Sequence, residues 1–188
     1  RLSSYLFTPT KEATKNLINE GYANEHVFEV GDVMFDATKL FYDPNLNNKF
    51  GKNYILTTLH RAENTDDPKI LEKYLRNLST LSQQVPIIFP IHPRTKKIMD
   101  QHKFKLDVND SLKIINPVGY KEMLSLIANS LMVITDSGGL QKEAYFLGKK
   151  CFTYRNETEW VELLENGWNK LIKTSSDPIT LHQMNKDR

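Results

Sequence analysis

The chain has very little cysteine. A single thiol, Cys151, in 188 residues excludes an internal disulfide framework and fits a reducing compartment, so a cytoplasmic protein is expected. Long apolar runs are also missing. No stretch is long enough to cross a bilayer, and no signal peptide opens the sequence, so no membrane partner is expected. Charge of one sign is not in excess: 25 basic and 23 acidic residues are interspersed and leave a net charge of +2, which gives no footprint for nucleic acid. Several chemical signatures are absent as well. There is no GxGxxG dinucleotide fingerprint, no Walker A lysine loop and no GxSxG nucleophile elbow. Without HExxH, paired cysteines or a clustered set of carboxylates, no protein-held metal is expected. Internal repeats and low-complexity tracts are lacking too. Hydrophobic residues, at 39%, still suffice for a core. The first residue is Arg1, not Met, and the text starts mid-pattern, so a processed start or a piece of something longer is expected.

The remaining pattern alternates strands with helices. Thr10 can cap a helix that carries Ala13, Leu17 and Ile18 and stops at Gly21. Val27 to Val30 reads as a strand, and Phe35 to Phe41 as a second helix. The Asn-rich stretch 43–52, with Pro44 and Gly51, reads as a linker. Beyond it, apolar, β-branched runs at 54–59, 86–91, 112–115, 131–135 and 150–154 predict buried strands, with a last one at Leu171-Ile172. Helix spacing fits 70–81, 95–102, 120–129, 140–146 and 160–166. The stretch from His60 to Pro68 reads as a polar loop, and Thr158 as the cap of the helix near Trp160. Strands joined through helices on short connections predict right-handed βαβ units. The expected fold class is therefore α/β, a Rossmann-like, doubly wound parallel sheet over residues 52–174. Residues 1–51 read as the last elements of another such domain with its linker, and 175–188 as the start of a C-terminal return segment.

In an open parallel sheet, ligands bind at the carboxyl ends of the strands. Three polar clusters fall there: His60-Arg61-Ala62-Glu63-Asn64, His92-Pro93-Arg94 and Asp136-Ser137-Gly138-Gly139. The two glycines let backbone approach a ligand and take unusual dihedrals, and the helix after them directs free amides at an anion. Phosphate suits this turn. An ordinary βα turn with Ser137 as N-cap is the bland alternative. Glu143, one turn into the helix, can accept hydrogen bonds from vicinal ribose hydroxyls or can be a solvated helix-face acid. His60 can donate to phosphate or act as an acid. Arg61 and Arg94 offer forked donors to phosphate or carboxylate, which Glu63 can orient. The loop from Arg155 faces the same cleft, whereas Trp160 and Trp168 read as packing residues.

The stretches TLHRAEN (58–64), PIHPRT (90–95), INPVGYKEML (115–124), TDSGGLQKEA (135–144) and RNETEWVELLENGWN (155–169) resemble the non-hydrolysing UDP-N-acetylglucosamine 2-epimerases. LFTPTKEATKNLINEG (6–21) and VGDVMFDA (30–37) belong to the same pattern, and the matches run in order along nearly the whole chain. The resemblance implies two Rossmann-like domains in a GT-B-type fold, this chain carrying the second. It also implies C2 inversion by anti elimination and re-addition of UDP, without metal or redox cofactor. Carried over, His60 is catalytic at the pyrophosphate. Ser137, Gly138 and Gly139 hold phosphates, Glu143 the ribose, and Met123 the uracil, with Val118 where some members have Gln. Arg61, Glu63, His92, Arg94 and Arg155 complete the substrate-binding set. Where many members have Thr-Glu-Arg-Pro-Glu, this chain has Thr158-Glu159-Trp160-Val161-Glu162. Trp160 therefore stands at an arginine position, and the form is similar to the branch acting on modified sugars. The resemblance places the proton-transferring carboxylates in the first domain, implies a homodimer for the full-length parent, and leaves this chain a UDP-binding half inactive alone. Two alternatives remain: the donor domain of a GT-B glycosyltransferase, and a non-catalytic nucleotide-binding domain.

Overall fold

The computed structural model describes residues 2–46, 48–104, 111–173 and 180. The expected return segment, 175–188, lies outside the described residues except for Thr180. The chain divides after Leu40 into two compact units.

In the first unit, β1 (Leu6–Thr8) pairs in parallel with β2 (Val27–Glu29), Leu6 opposite Val27. Helix α1 (Lys11–Asn19) connects them. Thr10 caps it as its spacing predicts, its hydroxyl accepting from the Ala13 amide at 3.2 Å, and satisfies a first-turn donor. Gly21, with φ of 90°, ends the helical run in the left-handed region that other residues avoid. Helix α2 (Val33–Phe41) follows, with the Asp32 carboxylate accepting from the Met34 amide at 2.9 Å.

The second unit is a six-stranded parallel sheet. Its strands are β3 (Ile55–Thr58), β4 (Ile87–Pro90), β5 (Leu112–Ile115), β6 (Met132–Thr135), β7 (Cys151–Thr153) and β8 (Asn169–Leu171), in the spatial order β5-β4-β3-β6-β7-β8. That order winds outward in both directions from the β3–β6 pair. This is the doubly wound arrangement, and its switch point lies between those two strands. The connecting helices are α3 (Ala62–Thr65), α4 (Pro68–Ser82), α5 (Pro93–His102), α6 (Tyr120–Asn129), α7 (Gly138–Phe146) and α8 (Val161–Glu165).

Both faces of the sheet are covered, which explains the unbroken apolar runs. Ile55, Ile87, Met132 and Ile134 pack with Leu71, Leu75, Leu78 and Leu81 of α4. Their neighbours Leu56, Ile88 and Val133 pack with Leu124 and Ile127 of α6 and Ala144 of α7. Successive strand residues point to opposite faces, so a strand buried on both sides shows no polar alternation.

Three expectations are corrected. The stretch His60–Pro68 is not all loop: Ala62–Thr65 is a short helix. Its inner side is polar, Asn64 and Thr65 both being buried, and so it carries no apolar period. Helix α7 starts at Gly138 instead of Leu140, and neither Gly138 nor Gly139 has a positive φ, so the turn uses no unusual glycine dihedral. Thr158 does not cap α8. Its hydroxyl donates to Gln141 Oε1 at 2.7 Å and accepts from the Trp160 amide, leaving Trp160 as the residue before the helix.

Candidate functional site

The site is organised by a buried acid. Asp136 follows β6 at the switch point and is fully shielded from solvent. Its carboxylate accepts from the His60 amide at 2.9 and 3.1 Å, the Arg61 amide at 2.8 Å and Asn64 Nδ2 at 3.1 Å. The His60 ring brings Nδ1 to 3.1 Å from it. Burial alone would raise this carboxyl, but the His60 ring, the two amides and Asn64 outweigh it and hold the group below its ordinary value. An ionised carboxylate only accepts, so Nδ1 carries the proton and Nε2 is the ring nitrogen left to face a ligand.

His92 caps α5, its Nδ1 accepting from the Arg94 amide at 3.2 Å. The two histidine rings lie with centroids 5.3 Å apart. Both line a cleft of about 220 Å³, together with Met123, Val118, Ser137 and Leu140. Four residues singled out in the sequence, His60, His92, Met123 and Ser137, thus share one cavity at the carboxyl ends of β3, β4 and β6.

Ser137 caps α7. Its oxygen accepts from the Leu140 amide at 3.4 Å, which leaves its own O–H available to a ligand. Gly138 and Gly139 form the first turn of that helix. Gly138 meets a close approach from within the chain: a Cβ there would fall 2.2 Å from Glu159 Oε1, the tip of a flexible side chain. Trp160 Nε1 donates to the Gly138 carbonyl at 2.9 Å, and Lys142 Nζ lies 3.6 Å from the centroid of its ring, so Trp160 packs on the start of α7.

Glu143 is not a solvated helix-face acid. It is 8% exposed, and burial pushes its carboxyl up to about 7 against the opposing hydrogen bond from Tyr120. Arg155, also 8% exposed, pairs with Glu159 at 2.5 Å and lies 3.7 Å from Glu63, which in turn meets Arg61 at 3.4 Å. Arg94 is turned to α3, where its guanidinium bonds Thr65 Oγ1 at 3.1 Å and Asp66.

Sequence reasoning missed the organising part of Asp136, and it missed Asn64, Gln141 and Glu159. Asn64 donates to both Asp136 and the Tyr154 carbonyl. Gln141 accepts from Thr158 and Asn169, both at 2.7 Å, and ties α7 to the β7–α8 loop and to β8. Gln141 and Asn64 stood inside quoted motifs, but nothing in a string of polar residues marks which ones turn inward. Among the described residues, no group of three or more His, Cys, Asp or Glu could hold a metal ion, and no helix is long and apolar enough to cross a membrane.

A family model described as UDP-N-acetylglucosamine 2-epimerase matches residues 1–186. A UDP-N-acetylglucosamine 2-epimerase homolog of Methanococcus maripaludis is 46% identical, the match covering 95% of this chain and 52% of the relative. A UDP-2,3-diacetamido-2,3-dideoxy-D-glucuronate 2-epimerase of Pseudomonas aeruginosa is 44% identical, with 95% and 51% covered. The crystal structure of Methanocaldococcus jannaschii UDP-GlcNAc 2-epimerase in complex with UDP-GlcNAc and UDP superposes with a TM-score of 0.85 at 38% identity, covering 98% of this chain and 53% of that one. The chain therefore spans about half the length of the relatives it matches.

Proposed function

The chain belongs to the UDP-N-acetylglucosamine 2-epimerase family, with the Rossmann-like sheet of the second domain of a GT-B-type fold, and we propose that it is the UDP-binding half of such an isomerase. The observation that carries this reading is the convergence of His60, His92, Met123 and Ser137 on one cleft beside the start of α7. The diphosphate takes the Ser137 hydroxyl and the first amides of α7 at Gly138 and Gly139, where the helix dipole favours an anion. Uracil lies against Met123 and Val118, and the ribose hydroxyls bond Glu143. His60 Nε2 reaches the pyrophosphate. With its Nδ1 held against Asp136, His60 presents Nε2 to the departing UDP and supplies a proton or hydrogen bond to it. Arg61, Glu63, His92, Arg94 and Arg155 frame the remainder of the substrate.

The reaction so proposed eliminates UDP across C1–C2 of the sugar and adds it back with C2 inverted. The carboxylates that move the C2 proton belong to the half that this chain does not match. The chain by itself therefore binds UDP without turnover, and the enzyme acts as a dimer once that half is present. The substrate is a UDP-N-acetylated hexosamine. The similarity to a diacetamido-glucuronate epimerase supports a modified sugar as much as UDP-GlcNAc.

The test is to join the chain to the half of a relative that it does not match and incubate the product with UDP-GlcNAc or its diacetamido-glucuronate counterpart, with no acceptor. Appearance of the C2 epimer supports the proposal. Sugar transferred only when an acceptor is added overturns it in favour of a glycosyltransferase.

A further inference from the structure

Glu159 sits where an incoming phosphate meets a problem. Its Oε1 would lie 2.2 Å, and its Cδ 3.3 Å, from a Cβ on Gly138, so the carboxylate rests against the first residue of α7. The segment that carries it is fixed from three sides. Thr158 donates to Gln141, Trp160 donates to the Gly138 carbonyl, and Arg155 Nη1 bonds Glu159 Oε2 at 2.5 Å. The guanidinium is nearly buried and has Glu63 on its other side, 3.7 Å from Nε. Arg61, 3.4 Å from Glu63, adds its positive field to that of Arg155 at the Glu159 carboxylate. Trp160 offers no charge, so the guanidinium of this loop is that of Arg155.

We propose that Glu159 is an internal counter-anion of the phosphate site, holding Arg155 in the empty chain and yielding it to the diphosphate when the nucleotide binds. This rests on the UDP reading of the cleft. Two anions beside one helix terminus repel each other, and the terminus carries only about half a unit of positive charge. Arrival of the diphosphate therefore favours exchange of the Arg155 pair from carboxylate to phosphate, a bidentate partner at least as good for a guanidinium. Occupancy of the cleft becomes sensitive to the phosphates themselves, and uridine does not trigger the exchange.

Titration calorimetry of the 188-residue chain and its Glu159→Gln variant, with UDP and with uridine, tests this. The variant is expected to bind UDP more tightly, on the order of fivefold at low salt, the effect of removing one partly screened like charge. The gain shrinks as salt is added, and uridine binding is unchanged. UDP binding by the unaltered chain with equal or weaker binding by the variant overturns the counter-anion and leaves the nucleotide reading standing. No UDP binding by the unaltered chain overturns both. If Glu159→Gln fails to fold, Glu159→Asp serves: its shorter side chain withdraws the carboxylate from Gly138. Tighter UDP binding then supports the proposal, and unchanged or weaker binding overturns it.

Discussion

Asp136 holds His60 twice, through ring Nδ1 at 3.1 Å and through the backbone amide at 2.9 Å. One buried carboxylate thereby sets both the path of the chain leaving β3 and the tautomer of the imidazole at the mouth of the cleft.

Replacing Asp136 by Asn turns an acceptor of four donors into a group with donors of its own. Urea unfolding is expected to show a loss of about 2–4 kcal/mol, since hydrogen bonds to a charged acceptor contribute about 1.5–3 kcal/mol each and the buried amides lose their partner. The sign with pH also follows. The folded Asp136 carboxyl lies below its ordinary value, so its stabilisation is present above the unfolded pKa and is lost as pH falls through the folded one. Asp136→Asn should remove part of the acid-side loss.

Glu143 has the opposite sign. Its carboxyl is raised to about 7 by burial, so the folded chain holds a proton that the unfolded chain has released. Stability is expected to fall as pH rises from about 4.5 to about 7, by an amount on the order of 1–3 kcal/mol. Thermal melts from pH 4.5 to pH 8 with Glu143→Gln should flatten that decline. An identical decline in the variant assigns it to another group.

Ser137→Ala removes the cap of α7 and a hydroxyl offered to phosphate. The expected cost is about 1 kcal/mol of folding stability from the cap. A further loss of about 1.5–3 kcal/mol is expected in UDP binding, from one hydrogen bond to a charged group. Unfolding and calorimetry on the same variant separate the two.

Leu78 of α4 is fully buried against the sheet. Leu78→Ala should destabilise by about 2–5 kcal/mol through lost burial and the cavity left behind. The cleft lies at the strand ends, so UDP affinity of the folded fraction should be unchanged.

The sheet was legible in the sequence because the inner strands β3, β4, β6 and β7 are buried on both faces. Ile55-Leu56, Ile87-Ile88 and Met132-Val133 therefore stand as apolar pairs between helices with clear periods. The histidine loops and the Ser-Gly-Gly turn were legible for the same reason, since strand ends locate them. What failed was polar and internal. Helix α3 buries Asn64 and Thr65 instead of apolar side chains, and periodicity cannot register that. Thr158 has the chemistry of a cap, but Gln141 of α7 and the Trp160 amide take its hydroxyl. Gly138 reads in the sequence as room for a ligand, and the group that lies against it in the structure is Glu159 of the same chain. Glu143 looks the same in a sequence whether exposed or buried, and only the packing of α6 against α7 decides it.

Titration calorimetry of the unaltered chain with UDP and with ADP bears most directly on the assignment of a uracil-nucleotide cleft. Saturable binding of UDP, with ADP weaker by roughly tenfold or about 1.4 kcal/mol, is the expected result. Equal affinity for the two nucleotides, or no heat with millimolar UDP, contradicts it.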